Sequence, residues 1–217
     1  MRLFSVIDEI ERREKCFGCP LFEEGRRPLV VRPSSEDGLK AVVVTESPWE
    51  IEWDIDLVTS IANIPTFPYL FCLLGGEFRP MENASTYWTH TCKCPLKNIS
   101  KKNKATKKNK AIRFCSKAYL RDEIEAVNPK LVIAVGRSAL KFFARETGDR
   151  RLKGKLTEVF LNQLKGIYDG VQLGSAVFSL AVAPHPSRKS RLWNKPPKEM
   201  VQAFKQVIED IKWRMKN

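Results

Sequence analysis

Hydrophobic positions along this chain repeat in two periods. Leu3, Val6, Ile7 and Ile10 recur at helical spacing, which predicts a helix over 3–14. Gly18 and Pro20 end it, and 21–38, rich in Arg, Pro, Ser and Gly, reads as an irregular loop. The β-branched run 40–45 (KAVVVT) predicts a buried first strand that stops at Glu46-Ser47-Pro48-Trp49. Ile51, Ile55, Val58, Ile61 and Ala62 return to helical spacing, and 64–80, with its prolines, aromatics and Gly75-Gly76, reads as a loop. A second strand is predicted over 86–92, a polar loop over 93–110 and a helix over 113–127. KLVIAV at 130–135 gives a third strand. Gly136 turns the chain, and Ser138-Ala139-Leu140 opens a helix ending near Gly148. Residues 156–174 suggest a hairpin turning at Asp169-Gly170, 177–182 a fourth core strand, and 200–215 an amphipathic helix with Val201, Phe204, Val207, Ile208 and Ile211 on one face.

Strands alternating with helices predict an α/β fold with a mainly parallel, four-stranded central sheet covered on both faces. No repeat or linker divides it, so 1–217 reads as one domain. Ligands of such sheets bind outside the carboxyl ends of the strands. His185 is expected there, after the fourth strand, stiffened by Pro184 and Pro186. Ser187 can hold a turn, Arg188, Lys189 and Arg191 suit phosphates, and Leu192 and Trp193 offer apolar bulk to wedge between bases. Glu46 holds the corresponding place after the first strand. An acid and an imidazole at neighbouring strand ends can serve one substrate, the acid steadying a positive sugar or a water and the imidazole a leaving group. Taken alone, the same residues also read as a helix-capping Glu and a turn His.

The formal charge of +13 favours a polyanionic partner, most simply nucleic acid. No apolar run approaches the roughly 18 residues of a membrane span. The N-terminus alternates apolar and charged residues, unlike a signal peptide, so a cytoplasmic protein is expected. Six cysteines, Cys16, Cys19, Cys72, Cys92, Cys94 and Cys115, then suggest metal or redox chemistry over disulfides. Four thiolates can take zinc or a [4Fe–4S] cluster, and the long gaps argue against a compact zinc finger. Cys92, two residues from Cys94 along a strand, shares its face and is a rival ligand by spacing.

Five short pieces, in order over nearly the whole chain, resemble the uracil-DNA glycosylase superfamily and in particular its iron–sulfur family 4. They are Cys16-Phe17-Gly18-Cys19; Thr45-Glu46-Ser47-Pro48-Trp49; the stretch Tyr87-Trp88-Thr89-His90-Thr91-Cys92-Lys93-Cys94-Pro95; Cys115-Ser116-Lys117-Ala118-Tyr119-Leu120 with the strand that follows it; and His185-Pro186-Ser187. The resemblance implies a three-layer α/β/α sandwich and a base-excision repair enzyme that flips a deaminated base, uracil first, out of DNA and hydrolyses its N-glycosidic bond. It implies Cys16, Cys19, Cys94 and Cys115 as the cluster ligands, which leaves Cys92 aside, with Glu46 and His185 flanking the scissile bond. Thr45, Ser47, Pro48, Trp49, Phe67, Phe71 and His90 would line the base pocket. Ser187 would grip a phosphate, with Arg188, Lys189 and Arg191 beside it, and Leu192 would fill the gap left in the stack.

The chain departs from that pattern on base recognition. Trp49 stands where the family has a glycine, and His90 where it has the Asn that reads uracil. Imidazole lacks the paired donor and acceptor of an amide. The family's glycine-rich segment with a stacking Phe has no clear counterpart. An alternative reading is therefore a catalytically silent iron–sulfur DNA-binding protein of the same fold. Residues 97–110 hold seven lysines, with Lys101, Lys102, Lys104, Lys107 and Lys108 expected along a DNA backbone. Cross-linking relatives capture the sugar with a His in this region; this one has none, so cross-linking is not expected. A monomer is expected.

Overall fold

The computed structural model describes residues 2–48, 85–97, 99, 103–185 and 198–216. The helix expected over 51–62, the loop over 64–80, and the site candidates Trp49, Phe67, Phe71, Lys101, Lys102, Ser187, Arg188, Lys189, Arg191 and Leu192 lie outside the described residues.

Helix α1 (Leu3–Arg12) buries Leu3, Val6, Ile7 and Ile10 and ends where Arg13 turns left-handed. A single helical turn, α2 (Pro20–Glu23), follows within the stretch expected to be loop; Pro20 suits its first position. Strands β1 (Ala41–Thr45), β2 (Thr86–His90), β3 (Leu131–Val135) and β5 (Ala176–Ala183) run parallel, in the order β2-β1-β3-β5. A fifth strand, β4 (Tyr168–Leu173), pairs antiparallel at the edge of β5. The sheet among the described residues therefore has five strands where four were expected.

Side chains alternate across the sheet. Val42, Val44, Val132, Ala134, Leu180 and Val182 face α1, α4 (Arg121–Val127) and α5 (Gly136–Glu146). Ala41, Val43, Ile133, Val135, Ala181 and Ala183 face α6 (Leu156–Asn162) and α7 (Lys198–Lys216). Helices on both faces of one sheet make a three-layer α/β/α fold.

Two expectations need correction. The stretch 156–174 is not a hairpin: its first half is α6, which buries Val159 and Phe160. Asp169-Gly170 lies inside β4, where the register with β5 slips between Tyr168 and Val171 and Gly170 takes φ +66. That is a bulge, which needs the same left-handed glycine as a turn. The reversal is at Gly174-Ser175, and the Asp169 carboxylate instead accepts from Ser179 Oγ at 2.7 Å and Arg214 Nη2 at 2.9 Å. The lysine stretch is not loop throughout either, because α3 spans Lys104–Cys115. Lys and Ala are good helix formers, and the buried stripe is only Ala111 and Cys115, too thin to show as an apolar period. The helix continues through a π-helical turn, Ser116–Leu120, into α4.

Candidate functional site

The carboxyl ends of the four parallel strands lie side by side, and three of them carry a titratable residue. Thr45 closes β1 and Glu46 follows it. His90 closes β2, Gly136 follows β3, and His185 stands two residues beyond β5. The chain's two histidines thus both lie at this edge. Glu46 and His185 were expected at neighbouring strand ends; they are not neighbours, because β3 runs between β1 and β5. Two strand spacings put the ends about 10 Å apart, with Gly136 in the gap.

Gly136 is shaped for that place. Its φ is +87, and a Cβ on it would stand 3.1 Å from His185 Cβ. Only glycine lets β3 turn into α5 while the His185 side chain lies against it.

Glu46 is fixed at both ends. Its carbonyl accepts from Thr91 Oγ1 at 2.8 Å and from the Cys92 amide at 2.9 Å, extending the β1–β2 pairing past the strands. Its carboxylate takes a hydrogen bond on Oε2 from Ser138 Oγ at 2.6 Å, in the first turn of α5. On Oε1 it takes an ion pair from Lys108 Nζ. Desolvation pushes this carboxyl up, but the Lys108 and Ser138 hydrogen bonds and the charges of Lys108 and His185 outweigh it, so it ionises below the ordinary range. Burial moves His185 the other way, below its ordinary 6.5; Glu46 opposes that shift and Lys108 adds to it. The pair is therefore an anionic acid and a neutral imidazole at pH 7, within each other's field. Ser47 is half-buried and Pro48 buried beside Glu46.

His90 shares a 2.5 Å hydrogen bond, through Nδ1, with Thr45 Oγ1, its register partner on β1. Burial, with the nearby Lys93 charge, holds it neutral, its pKa pushed down to about 3. Beneath it runs a polar network that the sequence did not reveal. Glu123 Oε1 accepts from Tyr87 Oη at 2.6 Å and Thr89 Oγ1 at 2.7 Å; Glu123 Oε2 takes an ion pair from Lys93. Lys93 Nζ also donates to Thr89 Oγ1 at 2.5 Å and the His90 carbonyl at 2.7 Å. Both charges are buried, with Lys93 2% and Glu123 0% exposed.

The cysteines form a second centre. Cys16, Cys19, Cys94 and Cys115 line one cavity, with Cys92 and Tyr119. The four come from the α1–α2 corner, the segment after β2 and the last turn of α3. Burial pushes the Cys94 thiol up to about 12, and Cys115, Cys16 and Cys19 add to the shift, so the four feel one another. Cys92 is 1% exposed and its thiol bonds to Cys115. The Lys93 amide also donates to Cys115 Sγ at 3.2 Å, and Tyr119 Oη lies 3.5 Å from Cys16 Sγ. Among the described residues no group of three or more His, Cys, Asp or Glu side chains is arranged to hold a metal ion. A single zinc would draw four sulfurs to about 3.8 Å from one another, given its bond length of about 2.3 Å. A four-iron cluster gives each thiolate its own iron and suits sulfurs spread around a cavity.

Of the lysines expected along DNA, Lys104 is exposed at the start of α3. Lys107 pairs with Glu24 and Lys108 with Glu46, so these two face the protein.

A family profile described as the uracil DNA glycosylase superfamily matches residues 66–212. The chain belongs to that superfamily. The match covers about two thirds of the 217 residues, including His90, Cys94, Cys115 and His185, while Cys16, Cys19 and Glu46 precede it. A comparison with curated proteins found no match. The superfamily is one of DNA glycosylases, and its three-layer sandwich is the fold observed here. Ligands of open α/β sheets bind outside the carboxyl ends of the strands. That is the edge at which this chain gathers Glu46, His90 and His185. Sequence reasoning missed Gly136 and Ser138 beside Glu46 and His185, and set Lys108 along DNA where the fold sets it on Glu46. A glycine directly after a buried strand, with a serine two residues on, was the available signal for the first two.

Proposed function

We propose that this protein is a DNA glycosylase that excises a deaminated base, with uracil the first candidate, from a nucleotide flipped out of DNA. The observation that supports this most is the placement of Glu46 and His185 at the carboxyl edge of one sheet, on either side of Gly136. As the N-glycosidic bond breaks, its electron pair leaves on the base, where His185 donates a hydrogen bond to the developing anion. Glu46 steadies the cationic sugar and orients the water whose oxygen bonds to C1′; the proton that water loses passes to Glu46 and on to solvent, from which the departed base anion is protonated. Thr45, Ser47, Pro48, Trp49, Phe67, Phe71 and His90 line the base pocket in this reading. Since Thr45 occupies His90 Nδ1, Nε2 is the ring atom left to meet the base. Ser187, Arg188, Lys189, Arg191 and Leu192, with Lys101, Lys102 and Lys104, hold the DNA.

Cys16, Cys19, Cys94 and Cys115 carry a [4Fe–4S] cluster in the same reading. It ties the α1–α2 corner to α3 and the segment after β2. Free thiols suit the reducing cytoplasm. No helix among the described residues is long and apolar enough to cross a membrane.

The test is release of free base from oligonucleotides carrying one uracil, hypoxanthine or xanthine, single- and double-stranded, by purified brown protein. Release from at least one supports the proposal. Binding without release from any would make this a silent DNA-binding member. A colourless, zinc-loaded protein would overturn the cluster.

A further inference from the structure

We infer that Lys108 is a positioning residue for Glu46, and that its ammonium serves the acid and not the DNA backbone. The inference rests on the glycosylase reading of Glu46. In the sequence Lys108 is one of seven lysines within 97–110, a run that looks uniformly suited to phosphates. The fold separates them. Lys108, Ala111 and Cys115 are spaced i, i+3, i+7 along α3, which puts them on one face of the helix. Ala111 and Cys115 are buried on that face. The lysine is two turns, about 10.5 Å, from the cysteine. Lys104 and Lys110 are exposed, whereas Lys108 turns inward and closes on Glu46 Oε1.

The carboxylate needs such a partner. It is only 34% exposed, and a carboxylate drawn from water tends to take up a proton. Ser138 supplies one hydrogen bond to Oε2 but no charge. Among the described residues the titratable groups facing Glu46 are Lys108, from α3, and His185, from beyond β5. At neutral pH His185 is uncharged, so there Lys108 is the cation beside the acid; the His185 charge adds to its effect only in acid. With Lys108 on one oxygen and Ser138 on the other, the plane of the carboxylate is also fixed, as an acid that must orient a water requires.

The experiment uses the full-length, cluster-loaded protein, its Lys108→Met and Lys108→Arg variants, and three readouts. Glu46 is titrated by carboxyl carbon NMR, with Glu46→Gln for assignment. Lys108→Met should move the Glu46 midpoint up by about one pH unit or more, the effect of losing an adjacent opposite charge. Lys108→Arg should restore it. Single-turnover excision by Lys108→Met should fall at least tenfold at the acid end of the profile and much less at the alkaline end. The salt dependence of binding to undamaged DNA should keep its slope. An unmoved Glu46 midpoint overturns the inference. So does a salt slope reduced by about one phosphate contact with an unchanged pH profile, which would make Lys108 a DNA ligand. A moved midpoint in a protein that excises nothing supports the pairing and overturns the glycosylase reading, so the two failures are distinct.

Discussion

Gly136 lies against the His185 side chain: a Cβ added to Gly136 would sit 3.1 Å from His185 Cβ. The glycine is thus a floor beneath the imidazole as well as a turn. Gly136→Ala meets both the left-handed φ of +87 and that contact. It should cost about 1–2 kcal/mol from the backbone alone. Displacing the imidazole should lower excision on the order of tenfold to a hundredfold. Gly25→Ala is the control, since φ is +71 there but nothing lies within 4 Å. It should lose similar stability by urea unfolding and keep full activity.

The pH profile follows from two depressed pKa values. Glu46 ionises below the ordinary carboxylate range and His185 protonates below 6.5. The active pair, anion and neutral imidazole, is complete at neutral pH and above, and is lost as pH falls through the His185 and then the Glu46 value. Stability follows the same sign. Both groups bind protons more readily unfolded, so each contribution is present above its unfolded pKa and disappears as pH falls through the folded one. Single-turnover rates should be flat from about pH 7 upward, while no other group titrates, with only an acid limb. An alkaline limb set by His185 would contradict the assignment.

Glu123 and Lys93 are a buried ion pair whose remaining bonds are satisfied by Tyr87, Thr89 and the His90 carbonyl. Removing one partner strands the other charge out of water. Glu123→Gln should therefore destabilise by about 3 kcal/mol or more, read as a lower urea midpoint. The double change Lys93→Met with Glu123→Leu should cost less than the two single changes together.

The cysteine set makes a spectroscopic prediction. Serine at Cys16, Cys19, Cys94 or Cys115 should abolish or strongly deplete the brown four-iron absorbance. Cys92→Ala should keep it, with a shifted reduction potential because its thiol bonds to Cys115. Loss of colour in Cys92→Ala with retention in Cys94→Ser would exchange their roles.

The sheet was legible because β1, β3 and β5 are nearly continuous apolar runs, interrupted only by Thr45 and Ser179, as strands covered on both faces are. The strand-end positions of Glu46 and His185 were legible for the same reason: each follows such a run. What escaped was non-local. Nothing in the local pattern says that Lys108 turns inward while Lys104 does not, since that depends on where Cys115 is anchored two turns on. Glu123 reads as one more acid on a helix until Tyr87, Thr89 and Lys93 close around it. Asp169-Gly170 was misplaced because a bulge and a turn ask for the same backbone from the same residues.

The most direct measurement is single-turnover release of uracil from a defined oligonucleotide by the wild type, Glu46→Gln and His185→Ala, with DNA binding measured alongside. Wild type should release base, and His185→Ala should lose a factor on the order of a hundred to a thousand. Glu46→Gln should lose on the order of a hundred or more, with affinity for DNA nearly unchanged in both. Excision that survives either substitution at the wild-type rate would contradict the account.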